Sequence, residues 1–133
     1  THSGNPISCA AGSATLDEIK RLDLVSETNK KGKIFKEYLD NFSQKYSNII
    51  RCVTGKGLIG AIIFKNFKKI DAKEIADKIS MNCFKKNLLV VNTGRDSIKL
   101  GPPLTITTKA LIDSMQIIEN SIIKFYNENS KKF

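Results

Sequence analysis

The hydrophobic residues of this chain change their spacing near residue 49, and this change constrains the possible fold more than any other feature. Between residues 34 and 46 they recur every three or four positions, as they do on one face of an α-helix. Residues 49–53 and 58–64 are instead consecutive and rich in β-branched side chains, which favours two short strands or one bent strand. The two patterns together predict a mixed fold of helices and sheet.

Helix-start signals place further elements on either side of this change. Asn5 followed by Pro6 is typical of a helix start, because asparagine caps well and proline fits the first helical position. Asp23 is positioned to cap a second helix. Residues 71–74 (DAKE) resemble a capping box and predict the start of a third helix.

The last part of the chain predicts a hairpin and then a long helix. Residues 88–91 and 97–100 are short strand-like runs around a polar segment with a glycine. Thr107 or Thr108 can cap the final helix, whose apolar positions are spaced by four and three residues. We therefore predict an α+β domain: a small, mainly antiparallel sheet of about three to four strands, covered by helices, with long N-terminal and C-terminal helices.

Charge and hydropathy narrow the classes of partner. The 133 residues carry a net charge of +9, so nucleic acid has to be considered as a partner. However, only three of the 22 basic residues are arginines, and the lysines are spread along the chain without interleaved aromatic residues. We therefore expect no nucleic-acid partner. No apolar run approaches the roughly 20 residues that cross a bilayer, so we expect no membrane partner either.

The cysteines and the single histidine offer little chemistry. Cys9, Cys52 and Cys83 are widely separated and odd in number, which favours a reduced, cytoplasmic chain in which they are small buried side chains. His2 has no discernible catalytic or ligand partner in the sequence. We predict no metal site.

Residues 55–60 (GKGLIG) match the G-x-G-x-x-G pattern of dinucleotide-binding proteins. That motif requires a helix to start at its third glycine, whereas Ala61 and the residues after it form a strand-like run. We interpret the glycines as a bulge that bends a strand.

Three segments, in this order and at these separations, resemble the carboxy-terminal part of class III aminotransferases: residues 1–6 (THSGNP), 53–60 (VTGKGLIG) and 99–107 (KLGPPLTIT). These aminotransferases are pyridoxal-phosphate enzymes of fold type I. The resemblance covers nearly the whole chain and implies the small domain of such an enzyme. It implies that residues 1–22 form a phosphate-contacting loop and an interdomain helix, and that residues 23–133 form the small domain.

The resemblance also implies how the intact enzyme is assembled. The lysine that binds pyridoxal 5'-phosphate would lie upstream of this chain, and the enzyme would be a homodimer. On this basis the chain is a fragment that holds no catalytic residue and should be inactive alone.

Two site residues follow from the resemblance. In the family, the threonine of the T-x-[SG]-G-N-P motif contacts the phosphate of the neighbouring subunit's cofactor, a role that would fall to Thr1. Many members carry an arginine that binds the substrate's α-carboxylate where this chain has Lys99. A guanidinium can form two parallel hydrogen bonds with a carboxylate, whereas an ammonium is a point charge. Three interpretations stay open: Lys99 contacts a carboxylate, the amino donor has none near its amine, or Lys99 points elsewhere.

The resemblance implies a pyridoxal-phosphate-dependent transaminase that moves an amino group from an amine or ω-amino acid to a 2-oxo acid. One alternative is a stand-alone α+β ligand-binding or docking module without catalysis. Another, within the family, is a glutamate-1-semialdehyde-type aminomutase. Residues 102–107 (PPLTIT) are similar to the 4-aminobutyrate and ornithine enzymes and favour the transaminase.

Overall fold

The structure, a computed structural model, describes residues 3–130. Within that range four helices and four strands follow one another in an order close to the predicted one. They are α1 (Pro6–Arg21), α2 (Leu24–Lys45), β1 (Ile50–Lys56), β2 (Ile59–Phe64), α3 (Ala72–Phe84), β3 (Val91–Asn92), β4 (Ser97–Leu100) and α4 (Thr108–Ser130).

The four strands form one antiparallel sheet in the order β1-β2-β4-β3. On one face of the sheet α2 packs on β1 and α3 packs on β2, β3 and β4, while α4 packs against α2 and α3; the core lies between this face and the helices. The largest fully buried side chains come from the sheet, from all three helices and, with Ile49, from the turn before β1: Phe35, Phe42, Ile49, Ile62, Phe64, Ile75, Ile79, Ile98, Leu111, Met115, Ile122 and Phe125. The predicted fold class, an α+β domain with a small antiparallel sheet under helices, is confirmed.

Helix α1 begins where the sequence predicts. The side chain of Asn5 accepts hydrogen bonds from the backbone N–H groups of Ile7 (2.9 Å) and Ser8 (3.4 Å), and Pro6 opens the helix. No residue of α1 is buried, and Ile7 and Leu16 are 81% and 60% exposed. This helix therefore contributes little to the core.

Asp23 marks the start of α2 but does not cap it with its side chain. Its backbone is left-handed, with φ 46° and ψ 44°, and it makes no side-chain capping bond. Aspartate tolerates this conformation better than most residues. Its carbonyl group accepts the N–H of Glu27, so Asp23 serves as the corner between α1 and α2.

The glycines of the G-x-G-x-x-G segment form a hairpin, so the interpretation as a bulge is wrong. Gly57 and Leu58 are the two loop residues between β1 and β2, and Gly57 has a φ of +58°. Glycine in the first of two loop positions is typical of such hairpins. The register shift of this strand pair lies between Ile50 and Cys52 instead.

The expectation that all three cysteines are buried is also wrong. Cys83 is fully buried in α3, where its thiol donates to the hydroxyl of Ser121 at 3.4 Å, and burial raises its pKa. Cys9 and Cys52 are exposed. Cys9 lies on α1, and Cys52 lies in the edge strand β1, opposite Ile63 on β2.

Candidate functional site

The second face of the sheet carries no helix among the described residues, and Lys99 lies on it. Lys99 in β4 is opposite Ala61 of β2 and Val91 of β3, and Ala61 is opposite Thr54 of β1. Opposite residues share a face, so these four side chains form one row across the sheet. Ile98, next to Lys99, points to the opposite face and is fully buried.

Lys99 is exposed and forms no ion pair with any residue from 3 to 130. It borders a cavity of about 230 Å³ together with Val91, Leu100 and Pro103. The floor of that cavity is apolar and includes Met115 of α4. A cation beside an apolar cavity suits a ligand that carries both a negative group and an aliphatic chain.

The chain leaves β4 through a rigid segment, which we call the elbow (residues 101–105). Pro102 and Pro103 fix the backbone and lack N–H groups. The carbonyl of Pro103 accepts the N–H of Ile106 at 2.9 Å. The carbonyl of Leu104 accepts the ammonium of Lys31, from α2, at 3.4 Å.

A second cavity, of about 330 Å³, lies on the other side of the elbow. It is lined by the corner between α1 and α2, by the β1–β2 turn and by Pro102, which also borders the first cavity. Lys56 and Thr28 supply polar atoms to its wall, and the Thr28 hydroxyl is buried without a hydrogen-bond partner among residues 3–130. The elbow therefore separates two cavities at one end of the sheet.

The loop before α1 can reach an anion only through residues that precede the helix. The N–H groups of Ile7 and Ser8 already donate to Asn5, so these amides are not available to a phosphate group. Gly4 turns the chain with a φ of +72°. Thr1, the residue expected to contact the phosphate, and His2 lie outside the described residues.

Residues 3–130 do not by themselves supply a complete pyridoxal-phosphate site. Lys99, the lysine beside the cavity of about 230 Å³, is exposed, and Lys31, the buried lysine, contacts a backbone carbonyl. The cofactor ring and its Schiff base would have to be held by residues outside this set. Residues 3–130 contain no cluster of three or more metal-ligand side chains. They also contain no helix with the length and apolar character that a membrane span requires.

Comparisons with known proteins agree with this architecture. The family described as "Aminotransferase class-III" matches residues 1–122. The chain is 31% identical over 125 residues to the mitochondrial ornithine aminotransferase of Rattus norvegicus, covering 94% of this chain and 27% of that protein. It is 32% identical over 109 residues to the putrescine aminotransferase of Pectobacterium atrosepticum, covering 80% of this chain and 22% of that protein.

A solved structure shows the same fold. The acetylornithine aminotransferase of Elizabethkingia anophelis superposes with a TM-score of 0.81 and 32% sequence identity, over 92% of this chain and 29% of that one. The chain belongs to the class III aminotransferases. It spans less than a third of the length of these relatives.

The sequence marks Lys99 and the elbow as candidates but gives no indication of Lys31. Lys31 follows Lys30 in a helix rich in charged residues, so its pattern is that of a solvated helix face. Only the packing of α2 against the elbow reveals that it is buried.

Proposed function

We propose that this chain is the small-domain part of a pyridoxal-phosphate-dependent aminotransferase that moves an amino group from an amine or ω-amino acid to a 2-oxo acid. The proposal divides the chain into residues 1–22, a phosphate-contacting loop with the interdomain helix α1, and residues 23–133, the small domain. The single observation that carries it is the position of Lys99, a cation with no ion pair among residues 3–130, on the uncovered sheet face directly before the elbow, in a chain of this family.

The names of the relatives support an amine-terminated donor. Ornithine, acetylornithine and putrescine are the compounds in the names of three similar enzymes. All three compounds carry a primary amine on a short aliphatic chain. The apolar cavity beside Lys99 is suited to such a chain, and Lys99 is placed to contact a carboxylate if the donor has one.

In the intact enzyme, this chain would supply some of the contacts to the cofactor, and residues outside it would supply the rest. Bound pyridoxal phosphate would supply the electron sink for the reaction. Thr1 would contact the phosphate of the partner subunit's cofactor, which makes the enzyme a homodimer. The lysine that binds the cofactor would come from residues outside this chain, so the 133-residue chain alone should transfer no amino group.

The proposed function is tested by measuring the transfer of ¹⁵N from a labelled amino donor to a 2-oxo acid. The intact enzyme, loaded with cofactor, is incubated with ornithine labelled with ¹⁵N at its terminal amine, or with ¹⁵N-putrescine, and with 2-oxoglutarate or pyruvate. We expect ¹⁵N in glutamate or alanine, detected by mass spectrometry. Label in neither amino acid, with either donor, would rule out the proposed transaminase. The 133-residue chain under the same conditions is the control and should produce no label.

A further inference from the structure

Lys31 is buried, which is unusual for its residue type. Only 9% of the residue is accessible, and its side chain is 11% accessible. Lysine is almost never buried this far without partners, because its ammonium loses hydration. Within residues 3–130 its partners are the carbonyl of Leu104 at 3.4 Å and, more distantly, a carboxylate oxygen of Glu27 at 4.0 Å. The closer partner belongs to the elbow.

The part of α2 around Lys31 is held firmly against the end of the sheet. Gly32 lies so near the β1–β2 turn that an added Cβ would come within 3.0 Å of the backbone of Gly57. One helical turn before Gly32, the methyl group of Thr28 is 3.1 Å from the position that a Cβ on Gly57 would take. Lys31 therefore extends from a fixed base, and the position of its ammonium is set by packing.

The elbow needs such an anchor. Pro102 and Pro103 supply no N–H groups. Outside the sheet ladder, the described residues hold the segment 101–105 by two hydrogen bonds, one accepted by Pro103 and one by Leu104. Because Pro102 borders both cavities, a shift of the elbow changes the shape of both.

We propose that Lys31 is a positioning residue: by holding the Leu104 carbonyl it fixes the elbow and, with it, the wall between the two cavities where the amino donor would bind. Lys31 itself lines neither of the two cavities. This inference rests on the proposed function for the donor site, but the position of the elbow can be measured without any assay of activity.

The test compares Lys31→Met, which keeps the volume and loses the ammonium, with Lys31→Arg, which keeps a cationic donor. Lys33→Met is the matched control, because Lys33 is an exposed lysine on the same helix without an ion pair to any described residue. Hydrogen exchange of the intact enzyme is followed by mass spectrometry over residues 104–107, with a peptide from α4 as internal reference. Steady-state kinetics with ornithine and putrescine give KM and kcat.

We expect Lys31→Met to raise the exchange rate over residues 104–107 about tenfold, through the Ile106 amide, whose hydrogen bond to Pro103 opens more often once the Leu104 carbonyl loses its charged donor. KM for the donor should rise about tenfold with kcat nearly unchanged, because positioning of the binding wall is lost and the chemistry is not. Lys31→Arg and Lys33→Met should both behave like the unmodified enzyme.

Unchanged exchange over residues 104–107 in a folded Lys31→Met variant would overturn the inference, as would equal changes in Lys33→Met. If Lys31→Met does not fold, Lys31→Gln is used instead. Its shorter donor should give a smaller increase in the exchange rate over residues 104–107, and no increase in that rate would also overturn the inference. If the unmodified enzyme transfers no amino group, the proposed function fails, and the exchange measurement still decides whether Lys31 fixes the elbow.

Discussion

Among single residues, Asp77 shows most clearly how a side chain fastens the sheet to its helical cover. Its carboxylate accepts hydrogen bonds from Lys73 at 2.8 Å and from the amide of Asn92 at 2.6 Å. Lys73 is one turn away on α3, whereas Asn92 belongs to β3, on the covered face of the sheet. The ammonium of Lys73, followed by the amide of Asn92, lowers the pKa of Asp77.

This lowered pKa predicts a pH-dependent contribution to stability. A depressed carboxyl pKa stabilises the fold above the ordinary aspartate pKa of about 3.9, and the benefit is lost as the pH falls through the folded-state value. Asp77→Asn should therefore lower the free energy of unfolding at pH 7 by about 0.5–1 kcal/mol, a modest value because the side chain is 45% exposed. Urea unfolding should give a smaller difference at pH 3.

Asp113→Asn is the matched control for this experiment. Asp113 is an exposed aspartate on α4 without an ion pair to any residue from 3 to 130. Its substitution should change stability little at either pH. An Asp77→Asn difference that grows on acidification would contradict the account of this contact.

At the scale of elements, the packing of α2 on the hairpin depends on two glycines. Gly32 allows the helix to approach the backbone of Gly57, and Gly60 lies under the rings and methyl groups of α2. An added Cβ on Gly60 would come within 2.8 Å of Phe35 and 2.9 Å of Leu39. The G-x-G-x-x-G segment therefore serves a turn and a close helix–sheet contact.

These contacts reverse the usual effect of replacing glycine in a helix. A Cβ added to Gly12 in α1 would meet no other part of residues 3–130 within 4 Å. Gly12→Ala should therefore not lower the melting temperature, because alanine favours helix by about 1 kcal/mol over glycine. Gly32→Ala should lower stability by about 1 kcal/mol or more, because the clash with the Gly57 backbone exceeds that gain. Thermal unfolding of the two variants measures both effects. An increase in melting temperature for Gly32→Ala would contradict this prediction, because it would show that the β1–β2 turn moves to make room for the added methyl group.

The elements themselves were largely predictable from the sequence, and their contacts were not. The stripes of α2 and α4 and the start of α1 at Asn5-Pro6 are local signals, and the structure has these elements where the signals predict them. The sequence favours a bulge for the glycines at 55–60, and this interpretation fails because their role depends on which helix packs above them. Likewise, Cys9 and Cys52 are exposed because α1 and one face of the sheet are not covered by other described residues. The residue type alone does not predict this exposure.

At the scale of the whole molecule, the described residues leave two surfaces without cover: helix α1 and the sheet face that bears Lys99. Ile7 on the helix and Ile59 and Val91 on the sheet are each more than half exposed. Apolar side chains in such positions are typical of surfaces that contact other protein or a ligand. The relatives are more than three times as long as the matched part of this chain, so the proposed enzyme has ample chain to cover both.

The candidate site was predictable only in part, because some of its contacts join residues that are far apart in the sequence. Lys99 and the two prolines stand next to each other in the sequence, so their proximity is visible without a structure. Lys31 contacts Leu104 of the elbow, which lies 73 positions later in the sequence, and no local sequence pattern predicts that contact. The role of Thr1 stays a prediction, because it lies outside the described residues.

The proposal that the amino donor binds in the cavity beside Lys99 is tested most directly by the donor preference of Lys99→Met in the intact enzyme. If Lys99 contacts a carboxylate, kcat/KM for ornithine should fall about tenfold while kcat/KM for putrescine, which has no carboxylate, stays the same. Lys65→Met, at an exposed lysine just after β2, should change neither value. Equal values for Lys99→Met and the unmodified enzyme with both donors would contradict the claim.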